Sequence, residues 1–200
     1  MPYLIDAGQT PREATAAVRA SSGCHPQPGR QPSCIRRLRP AKSRGYLTRG
    51  EFLAVCNWKS PRARRHFERN SHHSIRRATQ VAFSSRSERE RFEALTALAG
   101  VSTPMASAIL TLTDPRRYGV IDIRVWQMLF RLGSVSTRPS GIGFQFDHWN
   151  RLLIILRSHA KRLAVDVRAI ERTLFFHHRA HSRSRLYRNA RKQAIVSVAR

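Results

Sequence analysis

Lysine is scarce in this 200-residue chain, which has only Lys42, Lys59, Lys161 and Lys192, and Asp and Glu together number 12. No apolar run approaches the roughly 20 residues needed to cross a bilayer, and residues 1–20 contain no continuous apolar segment of the signal-peptide kind. A soluble, cytoplasmic protein with no membrane partner is expected. Cysteine is limited to Cys24, Cys34 and Cys56, scattered without CxxC spacing, which fits a reducing compartment. His72, His73, His177, His178 and His181 lack the His-Glu-x-x-His spacing of a metal site, so a polar helix terminus is the better account and no metal is expected. Nor does "GIGFQF" from Gly141 carry the third glycine and the strand-to-helix context of a dinucleotide site; a loop is expected there.

What is abundant is arginine. The chain holds 33 of them and a net charge of +25, which favours a polyanionic partner and steers its approach. Arginine also grips phosphate bidentately, so nucleic acid leads the candidates, although charge alone does not tell DNA from RNA. The charge is spread unevenly, with +6 on residues 1–44, +13 on 45–181 and +6 on 182–200. Residues 1–44 mix Pro, Gly, Ser and Arg without a sustained period and are expected to be a disordered basic arm. Residues 182–200 are expected to be a basic tail, either solvated or gripping phosphate.

Between the arms, helix starts follow one another. Thr48 with Glu51 and Ser87 with Glu90 form capping boxes, Ser60 precedes Pro61 at a first helical position, and Ser71 precedes "HHSIRRATQVAF". Further on, Trp149, Leu152, Leu153 and Leu156 follow the helical i, i+3, i+4, i+7 rule, and Asp166 can cap "VRAIERTLFFHH". No segment alternates as a strand does. The expected fold class is all-α, a compact multi-helix bundle of short helices over residues 45–181.

Within that span "LAGVSTPMASAIL", Leu98 to Leu110, has the pattern of a helix, a tight turn and a second helix. Such a turn directs free backbone N–H groups and a partial positive charge outward, which suits a phosphate and reads no base. Gly100, Val101, Ser102 and Thr103 are the candidate DNA-backbone residues. A plain helical corner with Gly100 as C-cap is the alternative.

This stretch together with "VIDIRVW", over about residues 87–133, resembles the core of the helix-hairpin-helix DNA glycosylase superfamily, the group of endonuclease III and MutY. "YGVIDIRVW" is similar to that of small bacterial members of unassigned activity. Ser102 stands where the second glycine of the hairpin usually lies. The resemblance implies a base-excision reaction in which an Asp at the start of the next helix is the catalytic carboxylate, here Asp122. Breaking a glycosidic bond builds positive charge on the sugar, which a carboxylate can stabilise, and the target base must first be flipped out of the stack. Trp58, Tyr118 and Trp126 are candidates to line the base pocket, with core packing as the alternative for each. Asp122 can equally be a helix N-cap, and Arg124 can pair with it, with a phosphate, or with solvent alone.

Bifunctional relatives carry a Schiff-base lysine in the second hairpin helix, where this chain has Pro104, and no lysine lies between Lys59 and Lys161. The expected enzyme is therefore monofunctional, cleaving the N-glycosidic bond without lyase activity. Several relatives hold a four-cysteine iron–sulfur cluster, which three cysteines cannot supply, so no cofactor is expected. Two functions of different class follow: a monofunctional DNA glycosylase of base excision repair associated with the nucleoid, and a non-catalytic DNA-binding module on the same scaffold. Both bind duplex DNA through its phosphate backbone, and neither fixes an oligomeric state.

Overall fold

The computed structural model describes residues 33–181. They form nine α-helices and no strand: α1 Ser33–Arg44, α2 Arg49–Lys59, α3 Arg64–Phe67, α4 His72–Ser84, α5 Glu88–Thr96, α6 Thr103–Thr113, α7 Ile123–Arg131, α8 Phe146–Leu163 and α9 Val167–His181. A 3-10 turn, Pro61–Ala63, leads into α3. The all-α class read from the sequence is thus the observed one.

The caps explain why the helices start where they do. Thr48 accepts from the Glu51 amide while Glu51 accepts from the Thr48 amide, a complete capping box. Ser71 accepts from the Ser74 amide. Ser87 accepts from the Glu90 amide, but the Glu90 carboxylate turns to the Ser85 hydroxyl at 2.6 Å, so only half of the second expected box forms. Ser60 makes no side-chain cap, and Pro61 opens the 3-10 turn instead of a full helix.

The expectation that residues 1–44 lack packed structure is corrected over 33–44. Those residues form α1 despite Pro40, and Leu38 and Ala41, three apart on one face, are 1% and 0% exposed. Burying that face offsets the backbone bond that Pro40 cannot make. Residues 1–32 and 182–200, and with them the rest of the first arm and the basic tail, lie outside the described residues.

The expected single span 45–181 divides into two units. The larger comprises residues 33–122 and 143–171, the smaller 123–142 and 172–181. In the larger unit α6 is central, packing against α1, α2, α5 and α8. Its run from Met105 to Leu112 is buried throughout, as a helix enclosed on all sides requires. Trp149 anchors the aromatic part of this core, stacked on Phe92 at 5.7 Å and on Tyr118 at 6.2 Å. The smaller unit is closed by its own loop: Trp126 Nε1 donates to the Thr137 carbonyl at 3.0 Å and Gln127 to the Ser140 carbonyl at 3.1 Å.

Candidate functional site

The hairpin is built by α5 and α6 with a turn whose conformation is fixed from both sides. Gly100 has φ +80°, and a Cβ there would lie 2.8 Å from His66 Cβ and 2.9 Å from Phe67 Cδ1, so only glycine fits. Asn70 clamps the turn from below: its amide donates to the Ala99 carbonyl at 2.9 Å and its oxygen accepts from the Ala99 N–H at 2.8 Å. Nothing in the local sequence pattern announces Asn70, whose partner lies 29 residues away.

Val101 is core, and Thr103 is buried with its hydroxyl donating to the Phe144 carbonyl at 2.7 Å. Ser102 is exposed and makes no side-chain cap. At the head of α6, Pro104 has no N–H to give, and the Met105 and Ala106 amides bond to the Ser102 carbonyl at 2.9 and 2.8 Å. Ser102, the exposed residue at the start of α6, is therefore where the turn can present donors to a phosphate, with its main-chain N–H and its hydroxyl.

Asp122 is positioned by the segment that precedes it. The Ser107 hydroxyl of α6 accepts from the Ile121 N–H at 3.0 Å, and Val120 and Ile121 are buried. Gly119 permits a close approach: a Cβ there would sit 2.6 Å from Leu156 Cδ1 and 3.1 Å from Glu171 Cβ. The glycine and the apolar pair of "YGVID" thus set the chain between α6, α8 and the first turns of α9, leaving Asp122 at the edge of the core.

There Asp122 meets a lysine. Lys59, the last residue of α2, places Nζ 3.1 Å from Asp122 Oδ2, and both side chains keep about a fifth of their surface exposed, 19% and 23%. No lysine follows Lys59 in the sequence until Lys161, yet Lys59 itself is brought to Asp122 by the fold. The gap of 63 residues hid the contact, which arises because α2 packs on α6, the helix that also pins Ile121.

Glu171 lies behind this pair with 3% of its surface exposed, in an ion pair with Arg168. Burial pushes its carboxyl up to about 7, against the opposing pull of the Arg168 and Lys59 cations and with the help of the Asp122 charge. Two cations and two carboxyl groups therefore form one electrostatic set. Only Asp122 among the four had been singled out by the sequence.

The expected base-pocket aromatics separate. Tyr118 is 2% exposed, stacked on Trp149 with its hydroxyl donating to Glu88 at 3.1 Å, and burial raises its pKa. Trp126 is 1% exposed. Both are corrected to core residues, since neither ring has a face open to a base. Trp58 keeps 36% of its surface and directly precedes Lys59. Arg124 lies in the smaller unit, 3.4 Å from His178 Nδ1 and over the Phe175 ring.

Cys56 is fully buried, and burial pushes its thiol up to about 12, which makes it a packing residue and a poor metal ligand. In the smaller unit the His177 and His181 rings stack at 4.3 Å, and burial together with the neighbouring imidazole lowers the pKa of His177. No group of residues suited to a metal ion occurs among the described residues. No helix among them is long and apolar enough to cross a membrane. The chain matches no protein-family model, no curated protein and no solved structure.

Proposed function

We propose that the protein binds duplex DNA and releases a damaged or mismatched base, with Asp122 as the carboxylate opposite the sugar. The observation that carries this reading is the partly exposed Lys59–Asp122 pair at the end of a segment fixed by Ser107 and Gly119. Cleaving an N-glycosidic bond leaves positive charge on deoxyribose, and a preorganised carboxylate stabilises it without reorganisation at the moment of reaction. The hairpin turn supplies main-chain donors for a phosphate, and the net charge of +25 draws the duplex in.

Lys59 orients Asp122 in the free protein and must yield it as the sugar enters. Pro104 stands where bifunctional members of the helix-hairpin-helix glycosylase superfamily carry their Schiff-base lysine, so base release without covalent capture of the sugar is the proposed outcome.

The same pair favours a second reading. A carboxylate already neutralised by a cation is the arrangement of a structural ion pair, and a hairpin protein with Asp122 so engaged is a non-catalytic DNA-binding module.

Two measurements test the proposal. Duplex affinity should fall steeply with salt, by about 0.9 in log affinity per log salt for each neutralised phosphate, and a flat response removes the DNA reading. A panel of lesion-bearing and mismatched duplexes should then yield a released base without a borohydride-trapped adduct. An adduct lost in Lys59→Arg extends the proposal to a lyase, whereas inactivity across the panel with retained binding selects the module.

A further inference from the structure

The segment that follows Lys59 carries an uncommon density of exposed positive charge. Arg62, Arg64, Arg65 and Arg69 are all exposed within eight residues. Glu68, the acid among them, is taken up by Arg64, whose Nε lies 2.6 Å from its carboxylate. A run of charge is by itself an ordinary solvated surface, and two further observations distinguish this one.

The segment is rigidly mounted. Phe67 is buried at 1% exposure and meets Phe52 of α2 edge to face at 6.5 Å, and Arg49 donates to the Glu68 carbonyl at 3.1 Å. The backbone that carries these side chains is thereby held in place, so binding need not order a loop.

It is also placed against the hairpin turn. A Cβ on Gly100 would lie 2.8 Å from His66 Cβ and 2.9 Å from Phe67 Cδ1, so it is the absence of that carbon that lets these two residues pack on the turn. The turn and the segment 62–69 therefore pack together, and Lys59 of the Lys59–Asp122 pair stands three residues before Arg62 in the chain.

We propose that residues 62–69 and the turn at Gly100 form one surface that grips the phosphate backbone of duplex DNA, with Arg62, Arg65 and Arg69 as its main cationic contacts. The proposal rests on the DNA-binding reading above and assigns it a location. Duplex DNA carries one negative charge per roughly 1.7 Å of axis, so neighbouring arginines on a fixed mount can each neutralise a phosphate. The turn adds uncharged donors that hold the register.

A charge-matched comparison tests it on the full-length chain. One variant carries Arg62→Gln, Arg65→Gln and Arg69→Gln. The other carries Arg151→Gln, Lys161→Gln and Arg162→Gln, three exposed cations on α8. Both lose the same charge, and exposed substitutions of this kind leave the fold intact, which a melting curve checks. Affinity for a lesion-free duplex is then measured across a salt series. The first variant should lose about tenfold to a hundredfold at low salt and about two to three units of the salt slope, while the second changes affinity less than about threefold. Equal losses from both variants overturn the surface and leave only diffuse attraction by net charge. No loss in the first variant places the contact elsewhere and also overturns it. Failure of the unmodified protein to bind duplex DNA removes the surface together with the function it rests on.

Discussion

The hairpin turn and the Lys59–Asp122 pair are built on opposite principles. The turn is held by backbone geometry and close contact: a left-handed glycine against Phe67, a buried amide clamp from Asn70, and an apolar Val101. The pair is two partly exposed opposite charges that meet across 63 residues, with a buried carboxyl behind them. Perturbing the turn should therefore cost stability, whereas perturbing the pair should change charge and chemistry at little structural expense.

The largest break in that contrast comes from Gly100→Ala. The new Cβ combines a left-handed φ with contacts below 3 Å, and the melting free energy should fall by roughly 2–5 kcal/mol. A loss under about 0.5 kcal/mol would show the turn to be more open than its packing implies.

Glu171 offers an effect of comparable size that depends on pH. Its carboxyl is raised from the ordinary 4.5 to about 7, so the folded state keeps a proton that the unfolded state gives up. That contribution to stability is fully present below about 4.5 and is lost as pH rises through about 7. Denaturant unfolding should thus weaken across this window by on the order of 3 kcal/mol. Glu171→Gln should flatten the dependence, and an unchanged slope in that variant would assign the titration to another group.

Asn70→Ala leaves the Ala99 N–H and carbonyl without their side-chain partners and should cost about 1–3 kcal/mol. The smallest expected effect is that of Lys59→Met. A partly exposed ion pair contributes little, so stability should change by less than about 1 kcal/mol. A larger loss would make the pair structural and blur the distinction from the turn.

The same contrast explains what the sequence discloses. Caps at Thr48, Ser71 and Ser87 are written within three residues of the bonds they make, and the helical period around Trp149 depends only on neighbours. These were legible and delivered the all-α class. α1 was not, because Pro40 and a dense arginine content mask an apolar face that only the helices packed on it reveal. Tyr118 and Trp126 had the composition of pocket residues, yet burial decided against them, and burial is a property of the whole fold.

The site was half legible. Asp122 stands out locally as an acid between apolar residues ahead of a helix. Lys59 and Glu171 come near it through packing of α2 and α9, with Arg168 paired to Glu171, and no local spacing encodes that meeting. The sequence shows no lysine between Lys59 and Lys161, and Lys59 is 63 residues from Asp122. Scarcity along the chain says nothing about separation in space.

The most direct test of Asp122 as the reacting carboxylate is Asp122→Asn, a near-isosteric change that removes the charge. Duplex affinity and base release are measured in the same preparation, on whichever lesion or mismatch the unmodified protein processes. Affinity should hold or rise, melting should stay within about 1 kcal/mol, and base release should fall by at least about 10²-fold, the order lost with one electrostatic catalytic group. Base release at the unmodified rate in the Asn variant would remove Asp122 from the mechanism.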